Sequence, residues 1–588
     1  MVFVPRLRRR GLVALLASLI LAVSGGAQQP PPAPGLLTLK PCSIAGLRRE
    51  ARCGSFAVYE NRATRRGRRI ALNVVVIPAT GSPREPDAFT VFTGGPGEAA
   101  ATEALGSAEQ FRLELEHHDL LLVDQRGTGG SHPLQCDLFG SLDSLQGWLG
   151  SFLPVAAVTR CRARLEHDAD LTQYLTAYAA DDFDDVRAAL GYERVNVWGG
   201  SYGTRMALVY LKRHPEHVRS LVLQGVDPTS DFAPATFARD AQRALDGLFD
   251  ECEADRACHA AFPNVRTEMR DVVAQVERGP VQVEVIHPRS GEVVTVVLNR
   301  DLFGEAIRYM LYSAGAASWI PAVVHAAAMG NFTPIAERAI FGRQRIVGAG
   351  SPGLYLSVTC AEDVPWIDVA ASERGSRSTF LGDYRLRDQR AECAVWPRGT
   401  PEPGFDQPTR SAVPALLLSG QWDPVTPPAL GERAARSLSN SAHLVIPSGG
   451  HGYDGLAHIE CLDSLIARFV DQASVAGLDM SCIARMHRKS FPTTLPPTRP
   501  VVLEGSALRA FAGSYVDHIP VTIEALERTL HLRVAGGREL TLVPVGPATF
   551  RAAGAPVAAT FHQDSTGVMR ATIEVDGVPV DTLVRARQ

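Results

Sequence analysis

Short apolar, β-branched runs alternate with helical patterns along much of this chain, and this alternation limits its fold more than any other feature. Patterns such as DDFDDVRAALG and RMALVYLKRHP separate several of the runs. Runs that are apolar throughout are typical of strands in a parallel sheet with helices on both faces. The sequence therefore predicts an α/β fold with strands at 68–80, 88–92, 119–124, 195–199, 220–225, 414–420 and 442–447.

The alternation is lost between residues 228 and 400, where the chain turns helical and irregular. An insertion of this size between two strands of one sheet predicts a cap over the strand ends, where such folds place specificity. After a proline-rich linker, SFPTTLPPTRP, short alternating runs predict a small antiparallel β domain. The predicted units are a signal peptide (1–27), the first part of the core (40–227), the cap (228–400), the second part of the core (401–489) and a β accessory domain (502–588).

Composition excludes some classes of function. A chain of 588 residues is too long for one ordinary core, so two or three domains are expected. Its hydrophobic content of 45% and net charge of −4 are typical of a globular protein. Without a basic excess, no nucleic-acid partner is expected, and a pI near 6.5 argues against electrostatic binding to membranes.

The N-terminus predicts export. Four arginines between Arg6 and Arg10 precede an apolar stretch from Gly11 to Val23, followed by small residues and prolines. This pattern is typical of a secretory signal peptide, with cleavage expected near Ala27 and a periplasmic or extracellular product that has no membrane contact. The alternative is an uncleaved anchor, but the apolar stretch is short for a membrane span.

The cysteines fit an oxidising compartment. There are 10, and an even number in an exported chain favours disulfides. A metal site is the alternative, but the sequence has no C-x-x-C and no Cys/His cluster at zinc spacing. Sequence does not give connectivity; pairing of neighbours along the chain is a hypothesis, and it would join Cys42 to Cys53, Cys136 to Cys161, Cys252 to Cys258, Cys360 to Cys393, and Cys461 to Cys482.

A serine lies between glycines where a predicted strand becomes a helix. The segment GGSYG, residues 199–203, is a G-x-S-x-G motif in the strand–turn–helix context that the motif requires. So sharp a turn needs glycine beside the serine, forces Ser201 into a strained backbone and projects its hydroxyl above the sheet. The amides that open the next helix would face the same point and favour an oxyanion.

A serine nucleophile needs a base, and the base needs an acid to orient it. In this kind of fold the chain order is serine, acid, histidine. Asp423 follows one late strand in SGQWDPVTPP, and His451 follows the next in a glycine-rich loop. Asp227, just after the run SLVLQG, is an alternative acid, whereas other histidines such as His214 are expected at the surface.

A second set of backbone amides is expected near an earlier strand. The segment VFTGGPGEAA places Gly94, Gly95 and Gly97 directly after an apolar run. Glycines allow bare N–H groups to approach a reacting carbonyl, so this loop is a candidate for half of an oxyanion hole.

These motifs together carry a resemblance. TGGPG, VDQRGTGGSHPLQC, GGSYGTRMALVYLKRHPEHVRSLVLQGV, SGQWDPVTPP and GGHG resemble the proline iminopeptidase and tripeptidyl aminopeptidase family of α/β-hydrolase serine peptidases, over roughly residues 40–490. Thr93 stands where proline iminopeptidases usually have the histidine of HGGPG, which moves the resemblance toward the tripeptidyl branch. The resemblance implies an α/β-hydrolase fold with a mostly helical cap insertion, followed here by the small antiparallel β domain.

The resemblance also implies residue roles. Ser201 would be the nucleophile, Asp423 the orienting acid and His451 the base, while the amides of Gly95 and Tyr202 would bind the oxyanion. The implied substrates are peptides with a free N-terminus, cleaved through an acyl-enzyme without a metal or an organic cofactor.

An aminopeptidase must also hold a charged amine, which calls for a carboxylate in its cap. Glu362 and Asp363, beside Cys360, are the preferred candidates, since a disulfide would hold their loop rigid. A solvated pair of acids in a loop is the alternative, and Glu305 and Asp227 are weaker candidates.

Two other functions stay open on sequence alone. Fold and triad do not fix the acyl substrate, so a carboxylesterase or lipase is an alternative, and an inactive binding module is another. The number of residues released per cut, the side-chain preference and the oligomeric state are not readable from the sequence.

Overall fold

A mixed β-sheet forms the centre of the molecule. The computed structural model describes residues 37–586 except 48, 142, 517–519 and 535–537; the predicted signal peptide lies outside these residues. In chain order the first strands are β1 (Lys40–Cys42), β2 (Ala51–Tyr59), β3 (Arg69–Ile77), β4 (Ala88–Phe92), β5 (Leu120–Val123), β6 (Val195–Gly200) and β7 (Val218–Gln224). A hairpin of β8 (Val281–Ile286) and β9 (Val293–Leu298) comes next, then β10 (Ala415–Gly420) and β11 (Ser441–Ile446).

The order of strands in this sheet is β1-β2-β3-β5-β4-β6-β7-β10-β11. The half that begins at β5 and β4 is parallel, as expected, but β1, β2, β3 and β5 pair antiparallel. The predicted parallel sheet is therefore a mixed one, because β3, which lies in the predicted strand at 68–80, pairs antiparallel with both of its neighbours. The short turn at 60–68 between β2 and β3 allows only a hairpin, because a parallel connection needs a crossover of a dozen residues or more.

Helices cover both faces of the sheet. One face packs against α4 (Thr176–Leu190) and α5 (Tyr202–Arg213) through residues such as Phe183 and Met206. The other face packs against α1 (Ala104–Gln110) and α17 (Glu460–Gln472) through Ala108 and Phe469. The apolar runs that form the central strands β4, β6 and β10 are buried on both sides for this reason, whereas the edge strand β11 is only partly buried. The helices before the cap are α1 (Ala104–Gln110), α2 (Leu145–Trp148), α3 (Val155–Leu165), α4 (Thr176–Leu190) and α5 (Tyr202–Arg213).

The segment between β7 and β10 is mostly helical and contains the β8–β9 hairpin. It has its own apolar core, which includes Leu248, Phe303 and Ile320. The limits drawn for it from the sequence stay predictions. Its helices are α6 (Phe237–Ala254), α7 (Arg256–Ala261), α8 (Val265–Arg278), α9 (Arg300–Met310), α10 (Ala314–Ala317), α11 (Ile320–Ala328), α12 (Thr333–Ala349), α13 (Pro352–Glu362), α14 (Val369–Ser376) and α15 (Tyr384–Ala394).

The chain then completes the core and forms a separate barrel. After β10 come α16 (Pro428–Ala435), β11, β12 (Leu456–Ala457), α17 (Glu460–Gln472), β13 (His487–Arg488) and α18 (Gly505–Phe511). Among the described residues, the remaining strands close into an antiparallel barrel. They are β14 (Gly513–Val516), β15 (Pro520–Leu526), β16 (Thr529–Val534), β17 (Arg538–Pro544), β18 (Thr549–Ala552), β19 (Val557–Gln563), β20 (Met569–Val575) and β21 (Val578–Arg585).

The barrel packs on the cap. The indole of Trp319 donates to the carbonyl oxygen of Asp576 at 2.7 Å, and the carboxylate of Asp576 pairs with Arg338. Arg551 on the barrel donates to Glu337 on α12 at 3.0 Å. Through these contacts the small β domain supports cap helices α11 and α12.

All five hypothesised cysteine pairs are disulfides in the structure. Their Cα–Cα distances lie between 5.1 and 6.0 Å. Among the residues with described positions, no cysteine is left unpaired, and no helix has both the length and the apolar character needed to cross a membrane.

Candidate active site

Five strands end at one edge of the sheet, and the predicted site residues follow them. β4, β6, β7, β10 and β11 are parallel neighbours, so their carboxyl ends meet at this edge. The glycine loop follows β4, Ser201 follows β6, Asp423 follows β10 and His451 follows β11. Ligands bind at the carboxyl ends of strands in folds of this kind.

Ser201 occupies a strained turn between β6 and α5. Its φ and ψ are 55° and −125°, a conformation that residues other than glycine rarely adopt. The neighbouring glycines make this turn possible. A Cβ on Gly203 would lie 1.9 Å from the carbonyl oxygen of Phe92, and a Cβ on Gly199 would lie 2.5 Å from that of Gly203.

Asp423 is buried and accepts several hydrogen bonds. The amides of Val425 and Thr426 donate to Oδ1, both at 2.8 Å, and the Thr426 hydroxyl donates to Oδ2 at 2.8 Å. His451 Nδ1 lies 2.9 Å from the same Oδ2. Burial acts to raise the pKa of Asp423, but His451 and these donors outweigh it, so the pKa lies below its usual value and the carboxylate stays charged.

His451 is oriented by Asp423 from one side and by the cap from the other. The Tyr312 ring packs edge-on against the imidazole, with ring centroids 5.1 Å apart, and the carbonyl oxygen of Tyr312 accepts from Gly452 N at 2.6 Å. Burial acts to lower the pKa of His451, but the Asp423 carboxylate outweighs it and the pKa is raised.

Ser201 and His451 both lie beside the end of β7. The Ser201 amide donates to the carbonyl oxygen of Gln224 at 2.9 Å. Gly225 follows with φ +65°, and a Cβ there would lie 3.1 Å from His451 Cε1. The absence of a side chain at Gly225 therefore leaves room for the imidazole on the same strand end that holds the serine.

Asp227, the alternative acid, has another partner. Its Oδ1 accepts from Arg205 Nη2 at 2.9 Å, and the pKa of Asp227 is raised by burial. The carboxylate that is hydrogen-bonded to the His451 ring is that of Asp423.

The glycine loop lies against Ser201. A Cβ on Gly94 would stand 3.3 Å from Ser201 Cβ and 3.3 Å from Glu98 Oε2. Gly95 has φ +109°, where a Cβ would lie 2.7 Å from Gly97 N. Glu98 Oε2 accepts from the Gly94 amide at 3.0 Å. Sequence reasoning did not single out Glu98, although an acid directly after GGPG is visible in the sequence.

Glu362 lies beneath the nucleophile turn. It is 1% exposed; its Oε1 accepts from Thr176 N at 2.8 Å and its Oε2 accepts from Thr176 Oγ1 at 2.6 Å. The Thr176 hydroxyl lies 2.8 Å from the hydroxyl of Tyr202, which also accepts from Gln125 at 3.0 Å. This network fixes the side chain of the residue that follows Ser201.

Asp363 belongs to a buried ion-pair cluster. It is 2% exposed, and its Oδ1 accepts from Arg205 Nη1 at 2.9 Å and from Ala233 N at 3.2 Å. Burial raises the pKa of Glu362 and of Asp363 to about 7 in each case, against the opposing effect of Arg205. Contact of either carboxylate with a substrate amine stays a prediction.

Glu305 is also paired within the cap. Arg308 donates to both of its carboxylate oxygens, at 2.9 and 3.0 Å, and donates to the Tyr312 hydroxyl at 3.0 Å. Glu305 therefore supports Tyr312, and through it the His451 ring.

One group among the described residues has the spacing of metal ligands: Asp184, His214 and His217. Arg187 already occupies it, since its Nε donates to Asp184 at 2.8 Å and its Nη2 lies 3.0 Å from His217 Nδ1. The group sits at the far end of α5 from Ser201, a helix length of about 18 Å. It therefore has no part in the site at the strand ends.

Comparison with known proteins decides the family. A family model described as alpha/beta hydrolase fold matches residues 88–258, and one described as TAP-like protein matches residues 378–482. The two matches, together with the relatives described next, support the α/β-hydrolase peptidase family. The first match contains the glycine loop and Ser201, and the second contains Asp423 and His451.

Two of the relatives align with most of this chain, and a third aligns with a shorter part. The chain is 24% identical to serine protease Hip1 of Mycobacterium tuberculosis over 71% of this chain and 85% of the relative. It is 22% identical to tripeptidyl aminopeptidase of Streptomyces coelicolor, over 73% of this chain and 82% of the relative. Proline iminopeptidase of Neisseria gonorrhoeae is 30% identical over a shorter stretch, 24% of this chain and 34% of the relative.

Proposed function

We propose that this serine peptidase is an aminopeptidase that releases residues or short peptides from free N-termini through an acyl-enzyme at Ser201. The observation that carries the proposal is the Asp423–His451 hydrogen bond of 2.9 Å at the strand edge where Ser201 stands in its strained turn. The names of the relatives, a tripeptidyl aminopeptidase and a proline iminopeptidase, favour action at N-termini.

The proposed reaction has two acyl-transfer steps. His451 takes the proton of the Ser201 hydroxyl as the oxygen attacks the scissile carbonyl, and the oxyanion is held by the amides of Gly95 and Tyr202. The C–N bond then breaks, and His451 gives its proton to the leaving amine. Water, deprotonated by His451, attacks the acyl-enzyme and frees the product, and the proton returns to Ser201.

Asp423 and the start of α5 supply the electrostatics of this reaction. The carboxylate of Asp423 holds the imidazole with its proton on Nδ1 and stabilises the imidazolium that forms in each step. The Tyr202 amide belongs to the first turn of α5, where unsatisfied N–H groups and the helix dipole favour negative charge. Neither Glu362 nor Asp363 needs to leave its hydrogen bonds for these steps.

We also propose that the protein is exported after cleavage near Ala27. The five disulfides support this, because they persist in oxidising compartments. Intact-mass analysis of protein from the periplasm or medium is expected to show a chain that starts at or near residue 28. A product that retains residues 1–27 would contradict the cleavage.

The test of the function uses matched anilides with free and with acetylated N-termini. We expect kcat/KM to be at least about 100-fold higher on the free amine, because blocking removes the charge that a carboxylate in the site would bind. Equal or faster cleavage of acetylated peptides and of simple esters would refute the aminopeptidase and favour an esterase. An organophosphonate that fails to label the protein would favour an inactive binding module.

A further inference from the structure

The carboxylate of Glu98 lies on the glycine loop, close to the proposed nucleophile. Its residue is exposed, while its Oε2 is held by the Gly94 amide at 3.0 Å. A Cβ on Gly94 would stand 3.3 Å from both Glu98 Oε2 and Ser201 Cβ, so the carboxylate and the serine both lie close to Gly94. Glu98 is therefore an exposed acid on the loop that lies against Ser201.

The charge of Glu98 also acts on the histidine of the triad. Burial lowers the pKa of His451, Asp423 raises it, and the negative charge of Glu98 raises it further. This carboxylate thus acts on the imidazole as well as on the surroundings of Ser201.

We propose that Glu98 binds the protonated α-amine of the residue whose carbonyl Ser201 attacks, so that the peptidase releases one N-terminal residue per cut. The inference rests on the proposed aminopeptidase function. It specifies the site that binds the amine and the register of cleavage, which is the number of residues released per cut. An ionised carboxylate offers about four acceptor positions, so a bond from Gly94 N–H is compatible with one from an ammonium group.

The register follows from chain geometry. Within one residue the amine nitrogen and the carbonyl carbon are separated only by Cα, about 2.5 Å apart with bond lengths of about 1.5 Å. The attacked carbon approaches the serine oxygen to about 3–3.5 Å. An acid beside Ser201 can therefore bind the amine of the substrate residue whose carbonyl is attacked. In a tripeptide the amine lies two residues further away, about 7 Å more in an extended chain.

The other acids around the site are engaged inside the protein. Arg205 pairs with Asp227 and Asp363, and Arg308 pairs with Glu305. Both oxygens of Glu362 accept from Thr176. These acids are buried or nearly so, whereas Glu98 is exposed on the loop that faces Ser201. Binding of a substrate amine at Glu98 leaves all of those pairs in place.

Charge gives Glu98 a selective effect as well. A carboxylate near the reacting carbonyl repels the developing oxyanion unless a cation neutralises it, and the substrate's own ammonium supplies that cation. A blocked substrate brings no such charge. Glu98 would therefore favour free N-termini by attraction and oppose blocked ones by repulsion.

The test compares the wild type with Glu98→Gln, Glu362→Gln and the control Glu109→Gln, which changes an exposed acid on α1. Substrates are Ala-anilide, acetyl-Ala-anilide, Ala-Ala-Ala-anilide and a short acyl ester. Glu98→Gln is expected to lower kcat/KM on Ala-anilide by about 10- to 100-fold, the loss of one charge-assisted hydrogen bond. The ratio of kcat/KM on Ala-anilide to kcat/KM on acetyl-Ala-anilide should fall in the same variant. The loss of kcat/KM on the ester should be at least tenfold smaller, and Glu109→Gln should match the wild type on every substrate.

Product analysis checks the register, with Ala-Ala-Ala-anilide expected to yield free alanine and Ala-Ala-anilide before any free aniline. Early aniline together with intact tripeptide would overturn single-residue release. Three results would overturn the role of Glu98. The first is a loss of kcat/KM below threefold on Ala-anilide in Glu98→Gln, and the second is an equal loss on all substrates. The third is a ratio of kcat/KM on free to acetylated anilide that falls only in Glu362→Gln. A wild type without preference for free amines would instead refute the aminopeptidase function itself.

Discussion

Replacing Ser201 with alanine is expected to lower kcat/KM on a free-amine anilide by at least about 10⁴-fold. The variant keeps the turn, because alanine meets the same backbone demand at φ 55° and the glycines that make the turn possible are unchanged. What it loses is the oxygen that forms the acyl-enzyme. The remaining rate would come from substrate binding and the oxyanion amides acting on water, which together retain only a small part of the catalysis.

The measurement combines steady-state kinetics with labelling by an organophosphonate. Wild-type protein should gain the mass of one phosphonyl group, and Ser201→Ala should gain none. Ser464→Ala is the matched control, because this serine is exposed on α17, and it should label and turn over like the wild type. Circular dichroism and the melting temperature should agree among all three. Turnover by Ser201→Ala within tenfold of the wild type would show that another group is the nucleophile.

The strand ends and their glycines could be predicted from the sequence because their constraints are local. The runs that end before the glycine loop, Ser201 and Asp423 are mostly apolar and form buried strands, whereas the run before His451 forms an edge strand that is only partly buried. Parallel pairing then brings their carboxyl ends to one edge without knowledge of side-chain contacts. At Gly203 a Cβ would overlap the carbonyl oxygen of Phe92, so only glycine fits there. The motif can therefore be recognised from the sequence.

The environment of the acids could not be predicted in the same way. Glu362 and Asp363 look like loop acids in sequence, yet Glu362 ends α13 and both are buried, with partners at Thr176 and Arg205 that are more than 150 positions away. Such partners depend on how the cap packs on the core, which has no local signature. The position of Glu98 against Ser201 has the same origin, since Gly94 joins them only after β4 and β6 have paired.

Two further outcomes depend on packing rather than pattern. The strands β1, β2 and β3 pair antiparallel because short segments connect them. The alternation of strands and helices in the sequence does not predict such hairpins. Tyr312 has no motif of its own, and it reaches the His451 ring because the segment after α9 pairs with the histidine loop at Ser313 and Gly452. Both features are readable only once the cap and core are assembled.

Asp423→Asn is expected to cost nearly as much activity as loss of the nucleophile, about 10⁴-fold in kcat. The amide is close to the carboxylate in shape, so the hydrogen bonds of Val425 and Thr426 to Oδ1 can persist. The change acts on His451. An asparagine whose NH₂ group faces Nδ1 favours the tautomer with its proton on Nε2, which cannot accept the proton of Ser201. It also removes the negative charge that stabilises the imidazolium in both steps.

The pH profile separates this role from a merely structural one. Because Asp423 raises the pKa of His451 and the base must be neutral, wild-type kcat/KM should rise with pH through a midpoint above about 6.5, the usual value for histidine. In Asp423→Asn the charge that favours imidazolium is gone while burial still opposes it, so the midpoint of the residual activity should move to lower pH. Asp271→Asn, an exposed aspartate on α8, should leave rate and profile unchanged. An Asp423→Asn profile with an unshifted midpoint would mean that Asp423 does not set the charge of the base, and a loss below tenfold would return the acid's role to Asp227.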